Sequence, residues 1–472
     1  MSNKIKNICC IGAGYVGGPT MSVFADKCPE ITINVVDLNS KRIEEWNEKD
    51  LTKLPIYEPG LTKIISRCRD RNLFFSTDIE RNLEKADMIF ISVNTPTKKS
   101  GIGAGKASDL SYVEASTRQI AKHAKTNTII VEKSTLPVRT ADTIKKILFN
   151  VDACNDNSEI KKNFDILSNP EFLSEGNAIK DLESPDRVLI GGENEEAINE
   201  LKNIYLNWVD YKKIITTNLW SAELSKLASN AFLAQRISSI NSLSALCEAS
   251  GADIKEVKIA IGSDSRIGNK FINPGPGFGG SCFKKDILNL VYLCEFYNLR
   301  EVALYWQNIL DLNQWQKNRL TKIVVEKLFG NISEKKIAIL GFAFKSKTND
   351  TRESSAIDIC KNLLQEGANL SIYDPKVKDI QIENELNLKQ NINLETHNKA
   401  NWNFSKSIQI CVEGADAILI LTEWEEFEYL DWNMISKKMR KPSWIFDTRC
   451  TNNIDLAKKY GLNIWKLGNG KS

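Results

Sequence analysis

KNICCIGAGYVGG, residues 6–18, joins a short apolar run to a glycine-rich turn and the start of an apolar helix. Gly12, Gly14 and Gly17 form the pattern G-x-G-x-x-G, and Asp37 follows 20 residues beyond Gly17 at the end of the next apolar run. Such glycines allow a tight turn that brings a dinucleotide pyrophosphate close to a helix N-terminus. An acid at position 37 accepts from a ribose 2′-hydroxyl and repels a 2′-phosphate, so the motif favours NAD over NADP, with Arg42 near the adenosine.

The same alternation of strand and helix continues from this motif. The runs ITINVVD, ADMIFISVNTPT, NTIIVEKST and DILSNPEF are apolar and end in polar residues, which is typical of a parallel sheet covered on both faces. After residue 332 the runs KKIAILGFAFK, LSIYDPK and ADAILILTEW repeat the order of the first half. The sequence therefore predicts two dinucleotide-binding folds of similar type.

Between the two halves the pattern changes to that of one long helix, closed by Gly251. Its apolar positions on one side are Leu224, Leu227, Ala228, Ala231, Phe232 and Ile237. A helix of this length either runs between domains or subunits or belongs to a core, and the pattern leaves both open. We predict an α/β protein with two Rossmann-like, doubly wound parallel-sheet domains joined by a central helical domain with one long helix. The predicted domains are residues 1–215, 216–330 and 331–472, and residues 378–407, rich in Asn, Lys and Glu, are predicted to be a surface excursion.

Composition excludes several classes of protein. The 472 residues, 42% hydrophobic and 26% charged, suit a globular chain of two or three domains. A net charge of +3 is too small to indicate a nucleic-acid or membrane partner. The 11 cysteines contain no CxxC pair and only 2 histidines are present, so we expect no metal site, no disulfides and a cytoplasmic location. Residues 7–25 are uncharged, but their glycines serve the nucleotide motif rather than a signal peptide.

A second glycine-rich stretch, GPGFGGSCFKKD at residues 275–286, surrounds Cys282. The thiol is either a buried residue closing a turn or a nucleophile, and the stretch alone leaves both interpretations open. SKLASN places Lys226 and Asn230 on one helical face among apolar positions, where a lysine needs a partner. NPEFLSEG places Glu171 and Glu175 near the C-terminal end of a strand, where such sheets bind ligands.

The turn GFAFK in the second half lacks two of the motif glycines and gains Lys345. An ammonium there suits a nucleotide-diphosphate substrate, and the alternative is a solvated lysine at a strand end.

Further segments occur in a characteristic order: GAGYVGGPT, LPIYEPGL, FISVNTPT, EKSTLPVR, SNPEFLSEG, ELSKLASNAFLAQRISSIN, RIGNKF, GFGGSCFKKD, GFAFK, DTRESS, YDPK and TEWEEF. Together they resemble the UDP-glucose 6-dehydrogenases of the UDP-glucose/GDP-mannose dehydrogenase family, nearest the animal-type enzymes. The resemblance covers residues 4–467. It implies an NAD-dependent four-electron oxidation of the C6 alcohol of UDP-glucose to a carboxylate, with two NADH formed and one water consumed.

The resemblance also implies roles for six side chains. Cys282 is expected to hold the aldehyde as a thiohemiacetal and then a thioester. Lys226 would stabilise oxyanions and Asn230 would position the sugar. Asp286 would order or deprotonate water during the first oxidation, and Glu171, with Thr135 close by, would activate water for thioester hydrolysis. Which carboxylate acts at which step stays open.

Further positions match contacts of the family. Those expected at the cofactor are Gly12, Ala13, Gly14, Tyr15, Val16, Gly17, Asp37, Arg42, Val93, Asn94, Thr95, Pro96, Thr97, Ser134, Glu175 and Arg352. Those expected at the substrate are Glu171, Phe172, Leu173, Lys226, Asn230, Arg266, Phe271, Asn273, Phe278, Gly279, Phe344, Lys345 and Arg449. Arg266 would reach a neighbouring subunit's site in a homo-oligomer, with dimers assembling to a hexamer.

The chain departs from the family at a few positions. Asn273 stands where animal-type relatives carry Lys, and Lys284 stands where many bacterial members carry Pro. Thr448 and Cys450 flank Arg449 in a segment that usually reads DGR followed by a polar residue. These departures bear on how the loop and Arg449 hold the substrate.

Three alternatives compete with this interpretation. A dehydrogenase of GDP-mannose or of a UDP-N-acetylhexosamine would share the mechanism, but residues 271–279 favour the UDP-glucose group. A β-hydroxyacid-type dehydrogenase needs neither a thiol nor a second nucleotide-like domain, whereas this sequence predicts both. A non-catalytic NAD scaffold would predict the loss of Cys282, Lys226 or Asp286, and all three are present.

Overall fold

A computed structural model describes residues 5–135, 137–151, 163–390 and 400–470. The strands are β1 (Asn7–Ile11), β2 (Thr32–Val36), β3 (Leu73–Ser76), β4 (Met88–Ile91), β5 (Thr128–Glu132), β6 (Phe164–Ser168), β7 (Val188–Gly191), β8 (Ile214–Thr217), β9 (Lys336–Leu340), β10 (Asn369–Tyr373), β11 (Trp402–Phe404), β12 (Ala417–Ile420), β13 (Trp444–Asp447) and β14 (Asn463–Lys466). The helices are α1 (Gly17–Lys27), α2 (Ser40–Asn47), α3 (Leu61–Cys68), α4 (Ile79–Lys85), α5 (Ser111–His123), α6 (Thr140–Val151), α7 (Ala178–Glu183), α8 (Glu195–Tyr205), α9 (Leu219–Ser250), α10 (Ile254–Gly262), α11 (Phe283–Phe296), α12 (Arg300–Lys327), α13 (Ser355–Gln365), α14 (Asp379–Leu386), α15 (Ile408–Cys411) and α16 (Trp432–Lys438). The chain divides into two compact units, Met1–Ser229 with Leu288–Phe296, and Asn230–Ile287 with Tyr297–Ser472.

The first unit is built on an eight-stranded sheet in the order β3-β2-β1-β4-β5-β6-β7-β8. The predicted strands are all present, and β1 pairs in parallel with both β2 and β4. One feature differs from the prediction of a wholly parallel sheet, because β7 runs antiparallel to β6. The strand order reverses direction between β1 and β4, and the loops leaving this point form the ligand crevice of such sheets.

The second unit contains a six-stranded parallel sheet in the order β11-β10-β9-β12-β13-β14. Its reversal point lies between β9 and β12, which matches the position of β1 and β4 in the first sheet. The predicted fold class is therefore confirmed: two doubly wound sheets accompany a set of long helices. The domain boundaries near residues 215 and 330 remain a prediction.

The long helix α9 is present and ends as predicted. Gly251 has a φ of +82° and its N–H donates to the carbonyl of Cys247, which is the geometry of a C-terminal glycine cap. Its apolar positions do not form one buried side, however. Leu227 and Ala231 are fully buried, whereas Leu224 and Phe232 are 43% and 58% exposed.

The prediction of a surface excursion at residues 378–407 is wrong for the part that the structure describes. The residues form α14 and the edge strand β11, and the side chains of Ile382 and Trp402 are fully buried in the second core. The prediction was based on the polar composition of the segment, but its few apolar residues pack into the core. Residues 391–399 lie outside the described part. None of the described helices is both long and apolar enough to cross a membrane.

Candidate active site

The turn after β1 has the geometry of a dinucleotide-binding turn. Gly12 has a φ of +109°, and a Cβ there would overlap the carbonyl oxygen of Ser92. A Cβ on Gly17 would overlap the carbonyl oxygen of Gly12. The N–H of Ala13 donates to Oδ2 of Asp37 at 2.9 Å, so the acid at the end of β2 is fixed beside the turn as predicted.

The ends of β4 and β5 are joined by side chains that the sequence assigned to the cofactor. Ser134 Oγ donates to the carbonyl of Val93 at 2.7 Å, and Thr95 Oγ1 donates to the carbonyl of Thr135 at 2.9 Å. These bonds place the two segments side by side next to the Gly12 turn, whose Cβ position faces Ser92. Arg42 also approaches Asp37, with Nη1 3.6 Å from Oδ2.

Glu58 is a residue of this region that the sequence analysis did not single out. Its carboxylate accepts from the Tyr15 hydroxyl, from the N–H of Gly176 at 2.6 Å and from that of Ala178 at 3.0 Å. It therefore links the glycine turn to the segment that carries Glu175. The motif LPIYEPGL contained this residue, but spacing alone could not show what it contacts.

Glu171 and Lys226 form a buried ion pair in the first unit. Lys226 Nζ lies 3.1 Å from Oε1 of Glu171, and the side chains are 4% and 8% exposed. The N–H of Leu173 donates to the other carboxylate oxygen at 2.7 Å, and the ring of Phe172 lies 5.4 Å from the ammonium. Burial acts to raise the pKa of Glu171, but the charge of Lys226 and the Leu173 N–H bond outweigh it and hold the pKa below its usual value.

Lys133 adds a second buried ammonium near this pair. Its Nζ donates to Asn169 Oδ1 at 2.9 Å and to the Tyr205 hydroxyl at 3.2 Å, and the residue is 3% exposed. Burial lowers the pKa of Lys133 to about 8, while Glu171 acts to raise it and Lys226 to lower it. The sequence analysis did not single out Lys133. Its only signal was its place in the run EKST, and a lysine at the end of a strand is usually solvated.

A pair of buried carboxyls connects β5 to α9. Glu223, one turn before Lys226, accepts from the N–H groups of Arg139 at 2.6 Å and Ala141 at 3.1 Å. Glu132 faces Glu223, and among the described residues no donor reaches either oxygen of its carboxyl. Burial raises the pKa of Glu132 well above its usual range and that of Glu223 to about 7. We therefore predict that the two facing carboxyls hold a proton between them at neutral pH.

This pair predicts a pH dependence of stability. Because the folded pKa of Glu223 is raised from 4.5 to about 7, its contribution to stability is complete below the unfolded pKa and is lost as pH rises through about 7. The melting temperature of the protein should fall between about pH 5 and about pH 8, and Glu132→Gln should flatten this fall, since an amide donates to Glu223 at any pH. Thermal unfolding across this range measures both slopes. Glu114→Gln, on the exposed side of α5, is the control, and equal slopes for all three proteins would contradict the shared proton.

In the second unit, Cys282 lies at the start of α11. It is half-buried, with Sγ 3.5 Å from Ser281 Oγ, and its carbonyl accepts from the N–H of Asp286 at 2.9 Å. Asp286 Oδ2 accepts from Asn230 Nδ2 at 2.6 Å, and both side chains are buried. A helix N-terminus stabilises a negative charge, so this position suits a reactive thiolate.

The glycine loop before Cys282 packs against the turn after β9. A Cβ on Gly280 would lie 3.0 Å from the ring of Phe344, and the N–H of Gly280 donates to the carbonyl of Arg352 at 2.9 Å. Arg449 donates to the carbonyls of Leu421 at 2.7 Å and Phe344 at 3.4 Å. The unusual Thr448 before it is buried and donates to Ile420, so Arg449 still reaches the predicted substrate residues.

The other predicted substrate residues are less closely gathered. The side chain of Arg266 is 87% exposed, and its Nη2 lies 2.6 Å from Oδ2 of Asp264. Phe271 is 42% exposed with a φ of +60°, and Asn273 is exposed. The side chain of Phe278, by contrast, is buried.

Arg449 also has a charged partner, with Nη1 3.2 Å from Oε2 of Glu423, and further cations of the second unit are paired in the same way. Arg352 pairs with Asp350 at 2.6 Å. Lys284, one of the unusual residues, pairs with Glu353 at 2.9 Å. The Nζ of Lys345 lies 5.5 Å from the ring centroid of Phe344.

Comparison with known proteins accounts for both units. Models of the UDP-glucose/GDP-mannose dehydrogenase family match residues 6–209 as the NAD binding domain, 220–315 as the central domain and 338–453 as the UDP binding domain. The chain belongs to the UDP-glucose/GDP-mannose dehydrogenase family. As in other members of the family, NAD is its cofactor, and the open Gly14, the Gly12 turn and Asp37 fit a dinucleotide.

Several characterised members of the UDP-glucose/GDP-mannose dehydrogenase family are similar over nearly their whole length. UDP-glucose 6-dehydrogenase 4 of Arabidopsis thaliana is 52% identical, over 98% of this chain and 96% of its own. UDP-glucose 6-dehydrogenase of Mus musculus is 55% identical, over 94% of this chain and 89% of its own. A UDP-glucose dehydrogenase structure from Pyrobaculum islandicum has a TM-score of 0.82 at 27% identity, covering 99% of this chain and 98% of its own.

Proposed function

We propose that the protein oxidises UDP-glucose to UDP-glucuronate with two NAD and one water, and that Cys282 carries the reacting carbon between the two oxidations. The observation that supports this most directly is a half-buried thiol at the start of α11, reached through a glycine loop beside Phe344 and Arg449. An oxidation of alcohol to aldehyde alone needs no thiol. Relatives at 52% and 55% identity that are named UDP-glucose 6-dehydrogenases support the same substrate.

In the first oxidation the C6 alcohol loses its hydroxyl proton and one hydride. NAD held by the Gly12 turn and Asp37 would supply the hydride acceptor for this step, and a second NAD would supply it for the next. Asp286, which accepts a hydrogen bond from Asn230, would order the water that takes the proton. Lys226 stabilises the alkoxide that forms, as a fixed ammonium in a buried site does for any developing oxyanion.

In the second oxidation Sγ of Cys282 adds to the aldehyde carbon, and the resulting hydroxyl of the thiohemiacetal loses its proton as the second hydride departs. The product is a thioester. Water then attacks the thioester carbon, the carbon–sulfur bond breaks, the thiolate leaves, and the carboxyl gives up its proton. Glu171 is proposed to orient this water. Thr135, which follows the predicted cofactor residue Ser134 in the sequence, is proposed to lie close by.

Glu171 suits orientation better than strong base catalysis. Its pKa is held below the usual value by Lys226, so the carboxylate stays ionised at neutral pH and draws a proton only weakly. As Lys226 turns to an oxyanion of the substrate, the carboxylate loses part of that partner and becomes more basic.

We also propose a role for each of the three domains and an oligomeric state. Residues 1–215 would bind NAD, 216–330 would carry the thiol, and 331–472 would bind UDP. A homo-oligomer, with dimers forming a hexamer, is expected because Arg266 is 87% exposed and would complete the site of a neighbouring copy. We expect it to work in the cytoplasm, since the ten cysteines of the described residues form no disulfides with one another.

A substrate comparison tests the proposed function. The value of kcat/KM should be at least about 100-fold higher for UDP-glucose than for UDP-N-acetylglucosamine or GDP-mannose, since a closed pocket discriminates bulky or misplaced polar groups to this extent. Initial rates of NADH formation at equal enzyme concentration give the ratio. A higher value for either competitor would reject UDP-glucose as the substrate.

A further inference from the structure

Three side-chain amides hold both polar backbone groups of two residues in the loop before Cys282. Asn241 Oδ1 accepts from the N–H of Gly275 at 2.8 Å, and Gln316 Nε2 donates to the Gly275 carbonyl at 3.0 Å. Asn313 Oδ1 accepts from the N–H of Phe278 at 2.8 Å, and its Nδ2 donates to the Phe278 carbonyl at 3.1 Å. Four hydrogen bonds therefore fix a segment of four residues from outside the loop.

These amides are buried on two helices. Asn241 on α9 is 1% exposed, and Asn313 and Gln316 on α12 are 6% and 0% exposed. A buried amide is costly unless it is bonded, and it offers a donor and an acceptor without a charge. The orientation of Gln316 is itself fixed, because its Oε1 accepts from Arg319 at 3.1 Å and Arg319 pairs with Glu248 on α9.

The backbone of the loop packs closely against these amides. Gly277 has a φ of +132°, and a Cβ there would lie 2.8 Å from Asn313 Oδ1, which is closer than a side chain tolerates. On its other side the loop meets the turn after β9, where a Cβ on Gly279 would overlap the Glu353 carbonyl and lie 3.1 Å from Phe344. The loop is therefore enclosed between the amides and residues expected to bind the nucleotide.

We propose that Asn313 and Gln316, together with Asn241, are positioning residues for Cys282: they hold the 275–278 backbone so that the thiol is presented to the substrate. This inference rests on the proposed function, in which Cys282 is the nucleophile. Residues on helices place a reacting group more accurately than residues on loops. A displacement of about 1 Å at a reacting group can reduce a rate by about 100-fold.

The test compares Gln316→Leu with Gln314→Leu, two residues away on the exposed side of α12. Gln316→Leu and Asn313→Leu should lower kcat for NADH formation by about 100-fold, and the dissociation constant of UDP should change by less than about threefold. The second-order rate constant for alkylation of Cys282 by iodoacetamide, read by peptide mass spectrometry, should fall by at least about threefold, because the thiolate is stabilised only when it is held at the start of α11. Gln314→Leu should change none of the three.

A merely structural role has a different signature. Val324→Ala, in the core of the second unit, should lower the melting temperature without changing the alkylation rate. Asn313→Asp keeps the acceptor for the Phe278 N–H and loses the donor, so its kcat should lie between those of the wild type and Asn313→Leu. Alkylation and kcat that remain at wild-type values in the folded Gln316 and Asn313 variants would overturn the inference. A wild-type protein that fails to oxidise UDP-glucose would reject the proposed function, whereas the alkylation rates, which require no substrate, would still support or overturn the role of the amides.

Discussion

Replacing Cys282 with alanine is expected to lower steady-state NADH formation from UDP-glucose by at least about a thousandfold, because the second oxidation loses the sulfur on which it takes place. The structure places this thiol half-buried at the start of α11, 3.5 Å from Ser281 Oγ. Without the thiol, the aldehyde is not covalently attached to the protein during the second hydride transfer. Rates under saturating UDP-glucose and NAD give the effect.

Cys282→Ser separates the two oxidations. A serine hydroxyl is a weak nucleophile at neutral pH and its ester is slow to hydrolyse, so this variant should reach or hold an aldehyde-stage or covalent intermediate at most. Rapid mixing at high enzyme concentration should then give no more than about one turnover per site. Cys294→Ala, a buried cysteine on the same helix, is the control and should retain activity. Sustained turnover by both Cys282 variants would remove the thiol from the mechanism.

Lys226→Met is expected to lower kcat by about 100-fold to 1000-fold, the usual effect of removing a fixed donor to a developing oxyanion. The same change leaves Glu171 as a buried carboxylate that has lost the ammonium 3.1 Å away. Breaking such a pair from one side typically costs about 3–5 kcal/mol of stability. A loss of activity in this variant alone therefore has two explanations.

The double variant Lys226→Met/Glu171→Gln distinguishes between them. It removes both charges, so the melting temperature should recover most of the loss seen in Lys226→Met. Activity should stay at or below the level of the single variant, because both the proposed oxyanion partner and the carboxylate proposed to orient water are absent. Recovery of kcat together with stability would show that Lys226 serves only to neutralise Glu171.

Most of the fold was predictable because its signals are local. The turn after β1 combines three glycines with an acid at a fixed distance, and the apolar runs of both halves have the length of buried parallel strands. The resemblance then assigned Cys282, Lys226 and Glu171, and the structure adds that Lys226 and Glu171 are paired at 3.1 Å. The roles of these residues in catalysis are still predictions.

The residues that escaped prediction act through partners far away in sequence. Glu132 and Glu223 are 91 positions apart, and neither carries a local signal of a shared proton. Asn313 lies 35 positions from Phe278, on a helix whose sequence periodicity indicates burial but not what the amide bonds. The error at residues 378–407 has a similar cause, since the burial of Trp402 depends on the neighbouring strand β10 and not on its own polar surroundings.

The central claim is that one active site carries out both oxidations, with Cys282 holding the carbon between them. The most direct test is the number of NADH formed per UDP-glucose when the nucleotide sugar is limiting and NAD is in excess, measured at 340 nm against the UDP-glucuronate recovered. The account predicts two NADH and one UDP-glucuronate for each UDP-glucose consumed. One NADH per UDP-glucose, with an aldehyde released, would contradict it.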